Sequence, residues 1–168
     1  AYGMDVNSGW VALLRQRLER EKLDYQVVNA STSGDTTANG LTRLPGLLAA
    51  HQPEIVVIEL GGNDGLRGLA LDRMKHNITA MVKKAKSTNA RVLLVGMQLP
   101  PNYGKSYTER FRRIYREIAV EQKVGLAPFI LDGIATNRNL MQPDGIHAAA
   151  QAQQRMLENL WPQLRPLL

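Results

Sequence analysis

Glu54-Ile55-Val56-Val57-Ile58-Glu59-Leu60-Gly61-Gly62-Asn63-Asp64-Gly65 is the stretch on which the fold turns. Ile55-Val56-Val57-Ile58 is continuously apolar between two glutamates, so it has no polar face to offer solvent. Such runs suit strands covered on both sides, as in parallel sheets. Gly61-Gly62-Asn63-Asp64-Gly65 then ends the strand as a loop.

The pattern recurs downstream. Met74, Ile78, Met81, Val82 and Ala85 have helical spacing, and Val92-Leu93-Leu94-Val95 reads as the next strand. Leu99-Pro100-Pro101-Asn102-Tyr103-Gly104 is a loop. Ser106 with Glu109 forms a capping-box pattern for a helix whose stripe is Tyr107, Phe111, Ile114, Tyr115 and Ile118. Residues 126–131 read as a last strand, with Pro128 placing it at an edge or bulge, and a final helix starts near Ala148. Upstream, residues 40–50 read as a helix stopped by Pro53, and residues 31–37 as a loop of small residues. Tyr25-Gln26-Val27-Val28-Asn29 reads as a short strand, preceded by a helix carrying Trp10, Leu13, Leu14 and Leu18. Strands alternating with helices predict a doubly wound α/β sheet in a single domain over residues 1–168. A doubly wound unit normally begins with a strand, and this sequence begins with a helix. A first strand is therefore expected upstream of Ala1.

Composition narrows the function. The chain has 168 residues, which is enough for a substantial core, and a net charge of +6. Aromatics are 5% and no basic run is interleaved with stacking residues, so nucleic acid is not an expected partner. Arg110, Arg112, Arg113 and Arg116 are interrupted by glutamates and read as a solvated helix face. With no cysteine, disulfides, thiolate metal sites and a cysteine nucleophile are excluded. No apolar run approaches the roughly 18 residues of a membrane span, so stable membrane insertion is not expected. The first ten residues do not read as a signal peptide.

In open α/β sheets ligands bind beyond the carboxyl ends of the strands, so the chemistry belongs in loops 30–37, 61–68, 97–104 and 132–147. His76 reads as an exposed helix residue, and His51, at a helix end before Pro53, as a cation favoured at that end. His147 differs: Asp144, three residues before it, can fold back onto one ring nitrogen and leave the other free as a base. Gly34 can present its backbone N–H and Asn63 a side-chain NH₂, which together would hold an oxyanion; taken singly, each also reads as a turn residue. Ser31 and Ser33 read as partners of the local backbone, and no G-x-S-x-G elbow supplies a nucleophile. There is no G-x-G-x-x-G, no Walker pattern and no His or acidic cluster, so neither a cofactor nor a metal is expected.

In this order the residues resemble the SGNH hydrolases, also called the GDSL esterase/lipase family, whose blocks carry Ser, Gly, Asn and His. Ser33-Gly34-Asp35-Thr36 resembles the oxyanion-glycine block, Gly61-Gly62-Asn63-Asp64 the G-x-N-D block, and Asp144-Gly145-Ile146-His147 the D-x-x-H block. Stretches 28–36, 59–68 and 99–104 resemble a bacterial subgroup of multifunctional thioesterases, lysophospholipases and arylesterases. Ala148 and Ala149 stand where relatives often carry Pro-Asn. The G-D-S-L block is not in the sequence. Ala1-Tyr2-Gly3-Met4 resembles its tail, which implies a nucleophilic serine just before Ala1.

The resemblance implies a three-layer α/β/α sandwich with a flavodoxin-like five-stranded parallel sheet in the order 2-1-3-4-5. It implies a serine esterase acting on esters and acyl thioesters through an acyl-enzyme, with His147 as base and Asp144 as its orienting carboxylate. Gly34, Asn63 and the serine's own N–H would form the oxyanion hole. Leu66, Leu69, Leu99 and Pro100 line an acyl groove or else plug the core from above, and Arg67 meets an anionic headgroup or solvent. A periplasmic or secreted monomer or weak oligomer is implied. Two other readings stay open: a catalytically inactive member that only binds ligand, and a flavodoxin-like nucleotide or flavin binder.

Overall fold

The computed structural model describes residues 2–168. In chain order the elements are α1 (Trp10–Arg20), α2 (Thr37–His51), β1 (Ile55–Ile58), α3 (Gly62–Leu66), α4 (Leu71–Ser87), β2 (Arg91–Val95), α5 (Lys105–Gln122), β3 (Gly125–Ala127) and α6 (Gln153–Leu164). They belong to two compact units. One is Gly34–Phe129 with Leu167; the other comprises the residues up to Ser33 together with Ile130–Pro166 and Leu168.

The Gly34–Phe129 unit holds the sheet. β1, β2 and β3 are parallel and adjacent in that order, with Ile55 opposite Arg91 and Leu93 opposite Gly125. Parallel neighbours need a crossover, and α4 and α5 supply the two here. Val56, Ile58, Val92 and Leu94 lie on one face of the strands and join the core cluster with α2, α4 and α5. Leu93 and Val95, on the other face, are fully buried as well. On α4 the spacing of Met74, Ile78, Met81, Val82 and Ala85 carries all five into that core. Burying a side chain such as Ile78 contributes about 1.5–3 kcal/mol.

In the other unit α1 packs on α6. Leu14 and Leu18 are the buried face of α1. The Arg17 guanidinium lies 3.9 Å from the Trp161 ring centroid and pairs with Glu158 at 3.0 Å and Glu21 at 2.8 Å. The side-chain oxygen of Gln153 accepts from the Trp10 N–H at 3.0 Å, so α6 supplies the acceptor that Gly9, the N-cap of α1, lacks.

The α/β class with a parallel sheet stands, and several elements differ from expectation. Residues 25–29 are not a strand: among the described residues the sheet has three strands. An extended segment becomes a strand only when a neighbour takes up its N–H and C=O groups. β3 stops at Ala127, whose carbonyl accepts the Gly96 N–H at 2.7 Å, and Pro128 follows at the edge of the described sheet, where a missing N–H takes no bond from the ladder. The Ser106/Glu109 capping box does not form. α5 starts two residues earlier, behind Gly104 at φ 86°, which puts Ser106 inside the first turn. α2 begins at Thr37, with the Thr36 hydroxyl as cap, and ends on Gln52 in the left-handed region rather than on Pro53. A 3-10 turn, Ala150–Ala152, precedes α6 where a helix from Ala148 was expected. Among the described residues no helix is long and apolar enough to cross a membrane.

Candidate active site

The Gly34–Phe129 unit carries the two expected oxyanion donors. The loop after β1 is a short helix, not the coil that its glycines suggest. Gly61 starts it at φ 115°, and a Cβ there would overlap the hydroxyl of Tyr115. That buried hydroxyl donates to the Leu60 carbonyl at 2.9 Å. Burial, with the charges of Asp64 and Glu59 behind it, pushes the Tyr115 pKa well up, so it remains a donor. The segment after β1 is thereby fixed at Leu60, and Asn63 follows three residues on.

Asn63 Nδ2 donates to the Asp35 carbonyl at 3.0 Å. An amide nitrogen has two N–H groups, so one remains for a ligand. Gly34 is exposed at φ 82°, and its carbonyl accepts from Arg67 Nη2 at 3.1 Å. Arg67 is thus a clip on the Gly34 turn, where sequence reading offered a headgroup ligand or a solvent residue. The Asp35 carboxylate is held by Arg43 at 2.5 Å and by Asn39 at 3.3 Å.

Behind these donors lies a group the sequence did not single out. Asp64 is 4% exposed. One oxygen accepts the Thr37 N–H at 2.8 Å and the other accepts the Thr37 hydroxyl at 2.6 Å. Asn77 Nδ2 donates to the same hydroxyl at 3.1 Å. The residue beside Asn63 is therefore forked onto a residue three beyond Gly34, which ties the two donor segments together. These partners are 27 and 40 positions apart, and no local spacing announces them.

The four apolar loop residues have different surroundings. Leu99 is in the core cluster, where it and Phe111 cover Gly65, and Leu66 is partly buried against that cluster. Pro100 is half-buried and Leu69 is 42% exposed. Tyr103 and Tyr107 donate to the Leu66 and Leu69 carbonyls, each at 3.1 Å.

The other unit carries the expected base. Asp144 Oδ1 accepts the N–H groups of Ile146 at 2.9 Å and His147 at 3.0 Å. Its Oδ2 meets His147 Nδ1 at 2.7 Å. The three-residue spacing thus forms the turn that sequence predicted, with Gly145 at φ 67° and with Ala148-Ala149 in place of Pro-Asn. Met141 bridges Ala148 to close it. The His147 N–H, then its ring, then the Ile146 N–H, hold the Asp144 carboxyl down at about 2. Nδ1 is occupied, so Nε2 is the free nitrogen. Tyr2 stacks on the imidazole with centroids 4.3 Å apart. Ala1, the first residue of the Ala1-Tyr2-Gly3-Met4 block, lies outside the described residues.

The depressed Asp144 pKa fixes a sign. A carboxylate lowered on folding adds stability above its unfolded value near 4, and that stability is lost as pH falls through about 2. Asp144 therefore stays ionised across the mildly acidic range. Asp144 is expected to add no step to the acid limb of kcat/KM at mildly acidic pH, so that limb should have unit slope there. A limb of slope two would place a second group in the reaction.

Among the described residues no group of three or more His, Asp or Glu side chains is placed to hold a metal. His51 and His76 are exposed on α2 and α4. Ser31 and Ser33 are exposed in the other unit, where the Ser31 N–H donates to Asn29 Oδ1 at 3.1 Å.

Residues 1–155 match the family of GDSL-like lipases and acylhydrolases. The chain belongs to that family. It is 56% identical to "Esterase TesA" of Pseudomonas aeruginosa over 100% of its own length and 84% of the relative's. It is 41% identical to "Thioesterase 1/protease 1/lysophospholipase L1" of Escherichia coli K12, over 99% of this chain and 79% of that one. Among solved structures it resembles the psychrotrophic esterase EstA from Pseudoalteromonas sp., inhibited by monoethylphosphonate. The TM-score is 0.94 at 37% identity, covering 99% of this chain and 91% of the other.

Proposed function

We propose that this GDSL family member hydrolyses carboxylic esters and acyl thioesters, as an arylesterase, thioesterase and lysophospholipase, through an acyl-enzyme. The observation that carries the proposal is the 2.7 Å contact between Asp144 Oδ2 and His147 Nδ1, which leaves Nε2 free as a base. Relatives named as esterase and thioesterase support the substrate class.

In this reading a serine hydroxyl attacks the acyl carbon while His147 Nε2 takes its proton. The resemblance of Ala1-Tyr2-Gly3-Met4 to the tail of the nucleophile block supports a serine upstream of Ala1 in that role. The carbonyl π-electrons move to oxygen, and the Gly34 N–H and the second Asn63 N–H stabilise that charge. As the tetrahedral centre collapses, the bond to the leaving oxygen or sulfur breaks and His147 delivers its proton there. Water, deprotonated by the same nitrogen, then attacks the acyl-serine and regenerates the hydroxyl. Asp144 orients the ring and stabilises its cation. The acyl chain is assigned to the surface of Leu66, Leu69, Leu99 and Pro100, with Leu69 the most accessible of them. The finer sheet expectation, five parallel strands in the order 2-1-3-4-5 with the first upstream of Ala1, belongs to this proposal. So do a small-molecule substrate and a periplasmic or secreted monomer or weak oligomer.

The test is hydrolysis of a short-chain nitrophenyl ester by the full-length protein, followed by a phosphonate inhibitor and peptide mapping. Turnover is expected, with the adduct on a serine upstream of Ala1 and with Ser31 and Ser33 unlabelled. An adduct on either of those two residues, or no turnover, overturns the reading.

A further inference from the structure

We propose that Gln142 is a positioning residue for the His147 base, acting by holding the Tyr2 ring against the imidazole. The inference rests on the reading of His147 as base. Asp144 meets the ring at one nitrogen only, and a single in-plane contact leaves the ring able to roll about that axis. Tyr2 closes one face, with its ring 27° from parallel to the imidazole. Yet Tyr2 is 55% exposed, so burial does not hold it there.

Gln142 supplies the restraint. Its Nε2 donates to the Tyr2 carbonyl at 2.7 Å and to the Ala148 carbonyl at 3.1 Å. Its backbone N–H donates to the His147 carbonyl at 2.7 Å, and its carbonyl accepts the Gly145 N–H at 2.9 Å. Gly3, at φ 68°, packs against the same side-chain amide, and a Cβ at Gly3 would run into Oε1. One residue thus binds the Asp144–His147 turn on one side and the Tyr2–Gly3 peptide on the other. A catalytic ring whose orientation is set by such a supporting contact loses rate when the contact goes, while substrate affinity is kept.

The experiment compares Q142A, Q142E, Y2F and Y2L in the full-length protein. Two readouts are used: kcat and KM on a nitrophenyl ester, and the NMR shifts of the carbon-bound His147 ring protons with their NOEs to Tyr2. Q142A and Q142E, the latter a near-isostere that cannot donate, should lose the NOEs and the ring-current shift. Both should lower kcat roughly tenfold with KM nearly unchanged. Y2L should reproduce these effects, Y2F should match the parent, and Q142A with Y2L together should be no worse than either alone. Retained NOEs and parental kcat in Q142E, or additive losses in the double variant, overturn the proposal. If Q142A does not fold, Q142E, which keeps the size of the side chain and the backbone bonds, decides the matter by the same two readouts. The NMR arm does not depend on turnover. A His147→Ala variant that kept its kcat would remove the base reading while leaving the stack to be judged by its NOEs.

Discussion

Replacing His147 with alanine in the full-length protein lowers kcat by roughly 10⁴-fold or more while the chain stays folded. The reason for the first half is that His147 pairs with a carboxylate through Nδ1, whereas among the described residues neither His51 nor His76, both exposed on helices, forms such a pair. The second half follows from how the turn is held. The His147 N–H to Asp144 Oδ1 and the Gln142 N–H to the His147 carbonyl are backbone bonds that alanine keeps. The ring itself is 43% exposed, so its loss opens no buried cavity. Circular dichroism and single-turnover ester hydrolysis check the two halves. A folded variant with near-parental kcat removes the assignment.

Asn63→Ala is the second large effect. Removing one oxyanion donor typically costs about 2.7–4 kcal/mol of barrier, or roughly 10²–10³ in kcat. KM should change little, because the bond to oxygen strengthens only as charge develops there. The same change also deletes the contact to the Asp35 carbonyl. Asn63→Asp separates these roles poorly, since a carboxylate donates to neither acceptor, but it shows that donation rather than size is required. Steady-state kinetics with a matched melting curve make the measurement. A rise in KM alone would make Asn63 a substrate-binding residue.

What was legible in the sequence was what is local. Asp144 and His147 are three residues apart, so one turn brings them together, and D-x-x-H could be read without a fold. Val92-Leu93-Leu94-Val95 and the α4 stripe were legible because burial imposes a period on neighbouring residues. Residues 25–29 have the composition of a strand, but a ladder is a property of two segments, and here none forms. Ser106 and Glu109 satisfy a capping pattern that Gly104, free to take φ 86°, pre-empts. The glycines around Asn63 read as coil, whereas α3 forms behind Gly61. Thr37, Asp64 and Asn77 could not be associated at all, because only the packed unit makes them neighbours.

That buried fork has a consequence for solvent exchange. The first amides of a helix ordinarily have no internal acceptor and give up their hydrogens to water quickly. Thr37 opens α2, yet it is fully buried and its N–H belongs to a carboxylate on another helix. Fraying of α2 cannot release it without pulling Asp64 out of the core. In deuterated buffer the Thr37 amide should therefore persist as long as those of β2, a slow-exchanging signal at the start of a helix.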